Sequence, residues 1–251
     1  MTSRTVAEQF GAAAVDYATF SYHAAGPDLA PMLAAAEMDG SERVLDLGCG
    51  PGHAALLFAP RARKVVALDP TPQMLDQGRR LAAERGLTNL SFELGTAEKI
   101  RFSDGSFDRV ISRQSAHHWR DLRAALAEID RVLSANGLFV LIDTVAPDDA
   151  VQDRFLNSIE LLRDPTHVRD YAVSEWEAMA SETDLRVEVL QSWSVRLEFD
   201  DWVKRSRTPR RQVELLRELF RVAPPEVCER FGLTPDCGWE VPVTLLVGRR
   251  P

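Results

Sequence analysis

The segment that most constrains the fold is Val44-Leu45-Asp46-Leu47-Gly48-Cys49-Gly50-Pro51-Gly52-His53, where an apolar strand runs straight into three alternating glycines and then a helical stretch. Glycine is needed where a chain leaving a strand must turn tightly and let a ligand come within van der Waals distance of its backbone. Asp69 follows at the end of the next apolar run, 21 residues after Gly48. A carboxylate at that place can accept both hydroxyls of an adenosine ribose. A tight strand-to-helix turn without any ligand would use the same glycines, so the acid is what makes the pair informative.

Around this segment, residues 43 to 146 alternate short β-branched runs with helical patterns, the signature of stacked βαβ units and a parallel sheet. The runs are Arg43–Leu47, Lys64–Leu68, Leu90–Leu94, Phe107–Ile111 and Leu138–Ile142. Pro72–Glu84 and Leu122–Leu133 are helical between them; the second has apolar residues at Leu122, Leu126, Ile129 and Leu133, a spacing near 3.6. Asn136-Gly137 is expected to close that helix. Beyond Pro147, Asp149–Leu162 and Ser174–Glu182 read as helices, and Ser174-Glu175-Trp176-Glu177 has capping-box spacing. Arg186–Phe199 and Trp239–Gly248 read as two more strands, with two or three short helices between them, over residues 200 to 232. The first 40 residues are expected to be helical, interrupted at Gly26-Pro27.

The chain has 251 residues, of which 45% are hydrophobic and 27% charged, which suits one compact domain with an elaboration. No segment approaches the roughly 18 uninterrupted apolar residues of a membrane span, and MTSRTVAEQF lacks the basic-then-apolar run of a signal peptide. Cys49, Cys228 and Cys237 are too few and too scattered for a disulfide framework or a cysteine zinc site. The expectation is therefore a soluble, cytoplasmic protein, without a membrane partner. The formal charge of −8 argues against a nucleic-acid partner. The basic run Lys204, Arg205, Arg207, Arg210, Arg211 reads as a solvated helix face.

Detail in the glycine loop chooses between two ligand classes. A dinucleotide fingerprint has glycine or alanine three residues after Gly50, to bring a helix N-terminus onto pyrophosphate, and here that position is His53. The Gly-x-Gly-x-Gly form suits a cofactor without phosphate. Asp46 can then favour the cationic amino-acid end of S-adenosylmethionine, through the peptide or a water.

The stretch from 44 to 146 resembles the class I S-adenosylmethionine-dependent methyltransferases, in the group that includes the ubiquinone/menaquinone C-methyltransferases. The glycine segment is similar to the family's first motif. Ala67-Leu68-Asp69-Pro70-Thr71-Pro72-Gln73-Met74-Leu75 is similar to its ribose motif, and Gly95-Thr96-Ala97-Glu98-Lys99-Ile100-Arg101-Phe102 to its adenine-side motif. Phe107-Asp108-Arg109-Val110-Ile111-Ser112 resembles its fourth-strand motif. The resemblance implies a Rossmann-like α/β fold with a seven-stranded, mostly parallel sheet and helices on both faces. It implies that Asp69 and Pro70 lie at the ribose, Met74 on the adenine, Ala97 and Glu98 beside the base, Gly48, Cys49 and Gly50 at the methionine part, and Arg113 close by. Thr96 departs from the family's aspartate, which puts the bond to the adenine amino group in doubt.

The segment Phe10-Gly11-Ala12-Ala13-Ala14-Val15-Asp16-Tyr17, followed by His23, resembles a subgroup in which this part folds over the cofactor, with Tyr17 near the methionine end. Residues 1–40 would then be a helical cap, 41–147 the cofactor core and 148–251 the rest of the same domain, with a lid at 200–232. Plain packing of Phe10 and Tyr17 on the sheet would give the same pattern.

Methyl transfer from a sulfonium is an in-line displacement that relies on alignment, and a base is needed only for a protonated acceptor. The candidates are His118 and His117 in Ser115-Ala116-His117-His118-Trp119-Arg120-Asp121, just past the fourth strand, with His118 slightly preferred. A histidine that bonds backbone or caps the next helix is the bland alternative. No His-x-x-x-His or Cys-x-x-Cys spacing supports a metal. Arg163–Tyr171 and residues 200–232 are expected to line or cover the acceptor pocket, or else to form a homodimer surface. Trp176, Trp193, Trp202 and Phe220 suggest a mainly apolar pocket for an aromatic, polyketide-like or quinone-like small molecule. Cofactor-assisted cyclisation, nicotinamide oxidoreduction and ligand sensing remain as alternatives.

Overall fold

The structure is a computed structural model that describes residues 5–11, 14 and 26–250; Tyr17 and His23 lie outside them. Seven strands, β1 (Arg43–Leu47), β2 (Lys64–Asp69), β3 (Leu90–Leu94), β4 (Phe107–Arg113), β5 (Leu133–Thr144), β6 (Arg186–Leu197) and β7 (Trp239–Arg249), form one sheet in the order β3-β2-β1-β4-β5-β7-β6. The first five pair in parallel. β7 runs antiparallel between β5 and β6. This is the Rossmann-like, mostly parallel sheet that the sequence pattern and the resemblance led us to expect.

The helices among the described residues are α1 (Val6–Gly11), α2 (Leu29–Ala35), α3 (His53–Phe58), α4 (Pro72–Glu84), α5 (Leu122–Val132), α6 (Ala150–Arg163), α7 (Val173–Ala180), α8 (Phe199–Arg205), α9 (Arg210–Arg221) and α10 (Pro225–Arg230). Successive strand residues face opposite sides of a sheet. Val44 and Val65 accordingly join one apolar cluster with Leu56, Leu75 and Ile159, whereas Leu45 and Val66 join another with Leu126, Ile129 and Trp176. With both faces covered, the parallel strands read as nearly continuous apolar runs.

The order places β2 and β4 on opposite sides of β1, so the chain switches direction there and a crevice opens at the strands' carboxyl ends. Because β7 is antiparallel, its first residues lie beside the carboxyl end of β5, with Val243 opposite Thr144. The α8–α10 insertion is anchored at that end by Trp239. Its ring centroid lies 5.1 Å from Trp202, 6.0 Å from Phe220 and 6.4 Å from Phe231, all four side chains buried. The insertion therefore stands over the crevice.

Three local expectations are corrected. α5 stops at Val132 and not at Asn136-Gly137, because Leu133 already pairs with Phe107 of β4. The cap of α7 is displaced from Ser174–Glu177: Glu175 accepts the Ala172 N–H at 2.8 Å, and Ser174 turns to Asp148. In the basic run Lys204, Arg207, Arg210 and Arg211 are exposed, but Arg205 is half-buried and faces the crevice. Among the described residues no helix is long and apolar enough to cross a membrane.

Candidate active site

The glycine loop leaves β1 and is tied to β2 by the Gly48 and Cys49 N–H groups, which donate to the Leu68 carbonyl at 2.8 and 3.1 Å. Gly48 has φ of 65°, and a Cβ there would stand 1.7 Å from Ser115 Oγ, so only glycine fits. Gly50, at φ 54°, has no heavy atom within 4 Å of the place where a Cβ would stand, which leaves its outer side open to a ligand. Asp69 braces the loop from the end of β2. Its Oδ2 accepts the Gly50 N–H and its Oδ1 the Thr71 N–H, both at 2.8 Å. Those two bonds leave acceptor capacity for ligand hydroxyls. Burial raises the Asp69 carboxyl above its ordinary value, and the two N–H bonds oppose this.

Asp46 is 1% exposed and its Oδ2 accepts the Ala55 N–H of α3 at 3.0 Å. Burial pushes it up to about 7, Ala55 pulls it down, and the nearby Asp69 charge raises it further. A positive group arriving beside it would be favoured. Arg113, at the end of β4, makes a two-pronged bond to Asp28, at 2.7 and 2.8 Å, with both side chains nearly inaccessible. It thereby clamps the segment that leads into α2.

These residues line one cavity of about 680 Å³ at the carboxyl ends of the strands. Its first half is walled by Asp46, Gly48, Cys49, Gly50, Asp69, Pro70, Met74, Ala97, Glu98 and Arg113, with Thr96 among them. Thr5, Val6, Ala7 and Phe10 of the N-terminal segment line it as well. Gln9 Nε2 donates to the Ser206 carbonyl at 2.9 Å, which joins that segment to the insertion. The second half is walled by His117, His118, Glu160, Arg163, Asp164, Asp170, Val195, Leu197, Trp202, Arg205, Val241 and Val243.

The two histidines sit on the short turn after β4 and are held differently. Asp143, at the end of β5, accepts the backbone N–H groups of Ala116 at 2.7 Å, Thr144 at 2.8 Å and Ser115 at 3.1 Å, and meets His117 Nδ1 at 2.6 Å. Burial opposes charge on His117. The attraction of Asp143 and the bond to it, helped by Asp170 and Glu160, overcome that and raise His117 to about 9. The Asp143 carboxyl is correspondingly held below its ordinary value, its burial outweighed chiefly by His117. The Nδ1 of His118 lies 3.1 Å from the Thr166 carbonyl. A carbonyl only accepts, so that nitrogen carries the hydrogen and Nε2 keeps the lone pair. Burial and the neighbouring His117 depress His118 to about 3. The Phe10 ring meets His118 edge-on, 5.0 Å between centroids.

The loop after α6 closes the other side. The Val168 and Arg169 N–H groups donate to the His117 carbonyl at 2.8 and 3.2 Å. Glu160 is held between Arg163 Nη1, at 2.6 Å, and Trp202 Nε1, at 3.3 Å. Asp164 Oδ1 accepts the N–H and hydroxyl of Thr166. His117, Asp143 and Asp170 present polar atoms that all lie within 4.8 Å of one another. Both Asp143 oxygens are already spent on four donors, His117 among them, and Asp170 stands beside that pair without a bond to either.

The structure thus brings together ten of the residues singled out for the cofactor, and both histidines, in one cavity; Tyr17 lies outside the described residues. Of the aromatic side chains expected in the acceptor pocket, Trp202 lines it. Trp176 packs under the opposite face of the sheet beside Trp119, and Phe220 lies in the core. The second half thus sets its polar groups beside an apolar wall of Val195, Leu197, Val241, Val243 and Trp202. Asp164 and Asp170 come from the Arg163–Tyr171 segment expected to line the pocket, whereas Asp143 and Glu160 were missed. An acid ending an apolar run, as in Val140-Leu141-Ile142-Asp143, is the signal that identified Asp69 and would have identified Asp143 too.

A glycine loop at a topological switch point, an acid at the next strand end and a cavity joining them to a histidine pair define the class I S-adenosylmethionine-dependent methyltransferases, and the chain belongs to that family. Residues 45–141 match the methyltransferase domain family. The chain is 40% identical over 211 residues to the uncharacterized methyltransferase YcgJ of Bacillus subtilis, covering 84% of this chain and 83% of that one. It is 40% identical over 189 residues to the uncharacterized protein YafE of Escherichia coli, covering 75% of this chain and 91% of that one. The crystal structure of YcgJ superposes with a TM-score of 0.86 at 36% identity, over 88% of this chain and 97% of that one. The structure of BH2331 from Bacillus halodurans C-125 gives 0.87 at 31%, over 90% and 100%. Membership implies S-adenosylmethionine as the cofactor, which supplies an electrophilic methyl on a sulfonium. The open side of Gly50, the spare acceptor capacity of Asp69 and the buried acid Asp46 fit its amino-acid end and ribose.

Proposed function

We propose that this methyltransferase acts on a small molecule held in the second half of the cavity, by in-line transfer to a carbon, oxygen or nitrogen nucleophile. The observation that carries this reading is the continuity of the cavity, from Gly50 and Asp69 at one end to His117, Trp202 and Val243 at the other. Asp69, Met74, Ala97 and Glu98 hold the nucleoside, and Asp46 with the glycine loop holds the amino-acid end. Val195, Leu197, Val241, Val243 and Trp202 pack the apolar body of the acceptor, consistent with an aromatic, quinone-like or polyketide-like ring. Its polar end faces His117 and His118. As a cation fixed by Asp143, His117 donates a hydrogen bond that orients the acceptor, and alignment of this kind supplies up to about 7 to 11 kcal/mol in favourable intramolecular models.

Calorimetric titration with S-adenosylhomocysteine, with NADH as the control, tests the cofactor assignment. Micromolar binding of the first alone is expected; binding of NADH alone would turn the reading toward an oxidoreductase. Release of S-adenosylhomocysteine during turnover then separates methyl transfer from a cyclisation that leaves the methyl in place.

A further inference from the structure

Methylating a nitrogen or oxygen that arrives with its hydrogen leaves a proton to be disposed of inside the cavity. The polar groups around the histidines are mostly committed. Asp143 is saturated by four donors, Glu160 lies between Arg163 and Trp202, and Asp164 serves Thr166. His167 Nε2 faces Asn157 Oδ1 at 3.1 Å. Asp170 differs. It lines the cavity, is 2% exposed, and its Oδ2 accepts no hydrogen bond from any described residue. Its backbone is pinned on both sides by Asn157, which accepts the Asp170 N–H at 2.8 Å and donates to its carbonyl at 3.2 Å. A buried oxygen with unmet accepting capacity is costly and calls for an explanation.

We infer that Asp170 is the general base of this enzyme, and that the acceptor class is a small molecule whose nucleophilic nitrogen or oxygen arrives bearing its proton. The inference deepens the function proposed above and rests on it. As the acceptor atom bonds the methyl carbon, the carbon–sulfur bond breaks and its electron pair stays on sulfur, giving a neutral thioether. The proton shed by the acceptor atom passes to Asp170 Oδ2, giving a neutral carboxylic acid that later returns it to solvent.

The electrostatics agree. Burial pushes Asp170 well above the ordinary carboxyl range; His117 and Arg163 pull it down, and Glu160 and Asp143 push it further up. His167 Nε2 is 4.0 Å from its Oδ2 and is itself depressed to about 4, chiefly by burial. A carboxylate raised above its ordinary range is a stronger proton acceptor than an exposed one, which fits the task. His117 is already a cation, and His118 is too weak an acceptor once depressed to about 3.

The test compares the full-length enzyme with Asp170→Asn, which keeps the backbone bonds to Asn157, and with Asp170→Glu. The acceptors are phenol, catechol and aniline, which arrive protonated, and 4-nitrophenol, which is ionised at about pH 8.5. S-adenosylhomocysteine should bind both variants within about twofold of wild type. For protonated acceptors Asp170→Asn should lose roughly 100-fold or more in kcat, with little change in KM, while 4-nitrophenolate loses under about tenfold and Asp170→Glu recovers part. Phenols and aniline distinguish oxygen from nitrogen acceptors. An equal loss on both kinds of acceptor, or none, overturns the inference. Should the wild type bind S-adenosylhomocysteine but methylate none of the four, infrared difference spectra decide. A carboxylic-acid band absent from Asp170→Asn and titrating above the ordinary carboxyl range supports it, and the lack of such a band overturns it. Failure to bind S-adenosylhomocysteine would instead remove the cofactor assignment itself.

Discussion

Asp143 and His117 form a buried pair, 2.6 Å from Oδ1 to Nδ1, in which the same carboxylate also gathers the N–H groups of Ser115 and Ala116. One acid at the end of β5 thus shapes the turn after β4 and sets the charge of the imidazole carried on it. In Asp143→Asn, His117 should lose most of its pull toward about 9 and fall, because burial is then opposed only by the charges of Asp170 and Glu160. The sign of the stability effect follows. A histidine raised in the folded state stabilises fully below its unfolded value near 6.5, and that contribution is lost as the pH rises through about 9. The wild type should therefore lead Asp143→Asn by about 3 to 5 kcal/mol at pH 6 and by clearly less at pH 10. Denaturant unfolding at both pH values, with histidine NMR titration, reads this. A gap that does not change with pH would mean that Asp143 acts through the backbone N–H groups alone.

Gly48→Ala places a methyl group 1.7 Å from Ser115 Oγ and 2.7 Å from Ser115 Cβ, on a backbone at φ 65°. The loop must give way or the turn carrying the histidines must move. We expect at least about 2 kcal/mol of destabilisation and a loss of S-adenosylhomocysteine affinity beyond tenfold. Gly50→Ala meets no atom within 4 Å, so its protein stability should suffer less, while its affinity falls because the methyl occupies the open side. Melting curves and calorimetry on the two variants separate these effects; equal stability losses would contradict the geometry.

The cofactor half was legible because its chemistry is local. Glycines, an acid and apolar runs lie within 30 residues of one another, and strand periodicity puts Asp46, Gly48 and Asp69 at one end of the sheet. The acceptor half was not, because it is made by distant contacts: Asp143 meets His117 across 26 positions, and Thr166 meets His118 across 48. Trp176 and Trp202 have the same composition signal, yet their helices, α7 and α8, pack into the two different apolar clusters. Likewise Asn136-Gly137 has the right residues for a helix stop, and strand pairing at Leu133 ends the helix first.

Arg113 and Asp28 are 6% and 0% exposed at their side chains. Removing one partner leaves a buried charge uncompensated, so Arg113→Met should cost about 3 to 5 kcal/mol. The double variant with Asp28→Leu should recover most of that, since neither charge then remains. Because the pair ties the start of α2 to the end of β4, the single variant should also admit protease near Gly26-Pro27 faster than wild type. Urea unfolding and limited proteolysis measure the two effects, and strictly additive losses in the double variant would show that the two side chains do not act as a pair.

Asp69→Ala tests whether the acid at the end of β2 binds a ligand or only braces the loop. Its two oxygens hold the Gly50 and Thr71 N–H groups, so part of its effect must appear in the empty protein as lower stability. If it also accepts the ribose hydroxyls, S-adenosylhomocysteine affinity should fall at least tenfold, since hydrogen bonds to a charged group contribute about 1.5 to 3 kcal/mol each. The two contributions separate when affinity is measured well below the melting temperature of the variant, with adenosine and S-adenosylhomocysteine as parallel ligands. A ribose contact weakens both by a similar factor, whereas a slackened loop weakens S-adenosylhomocysteine more, because its amino-acid end depends on Gly48 and Gly50. Unchanged affinity for both would take Asp69 out of the site and leave it as a strut of the glycine turn.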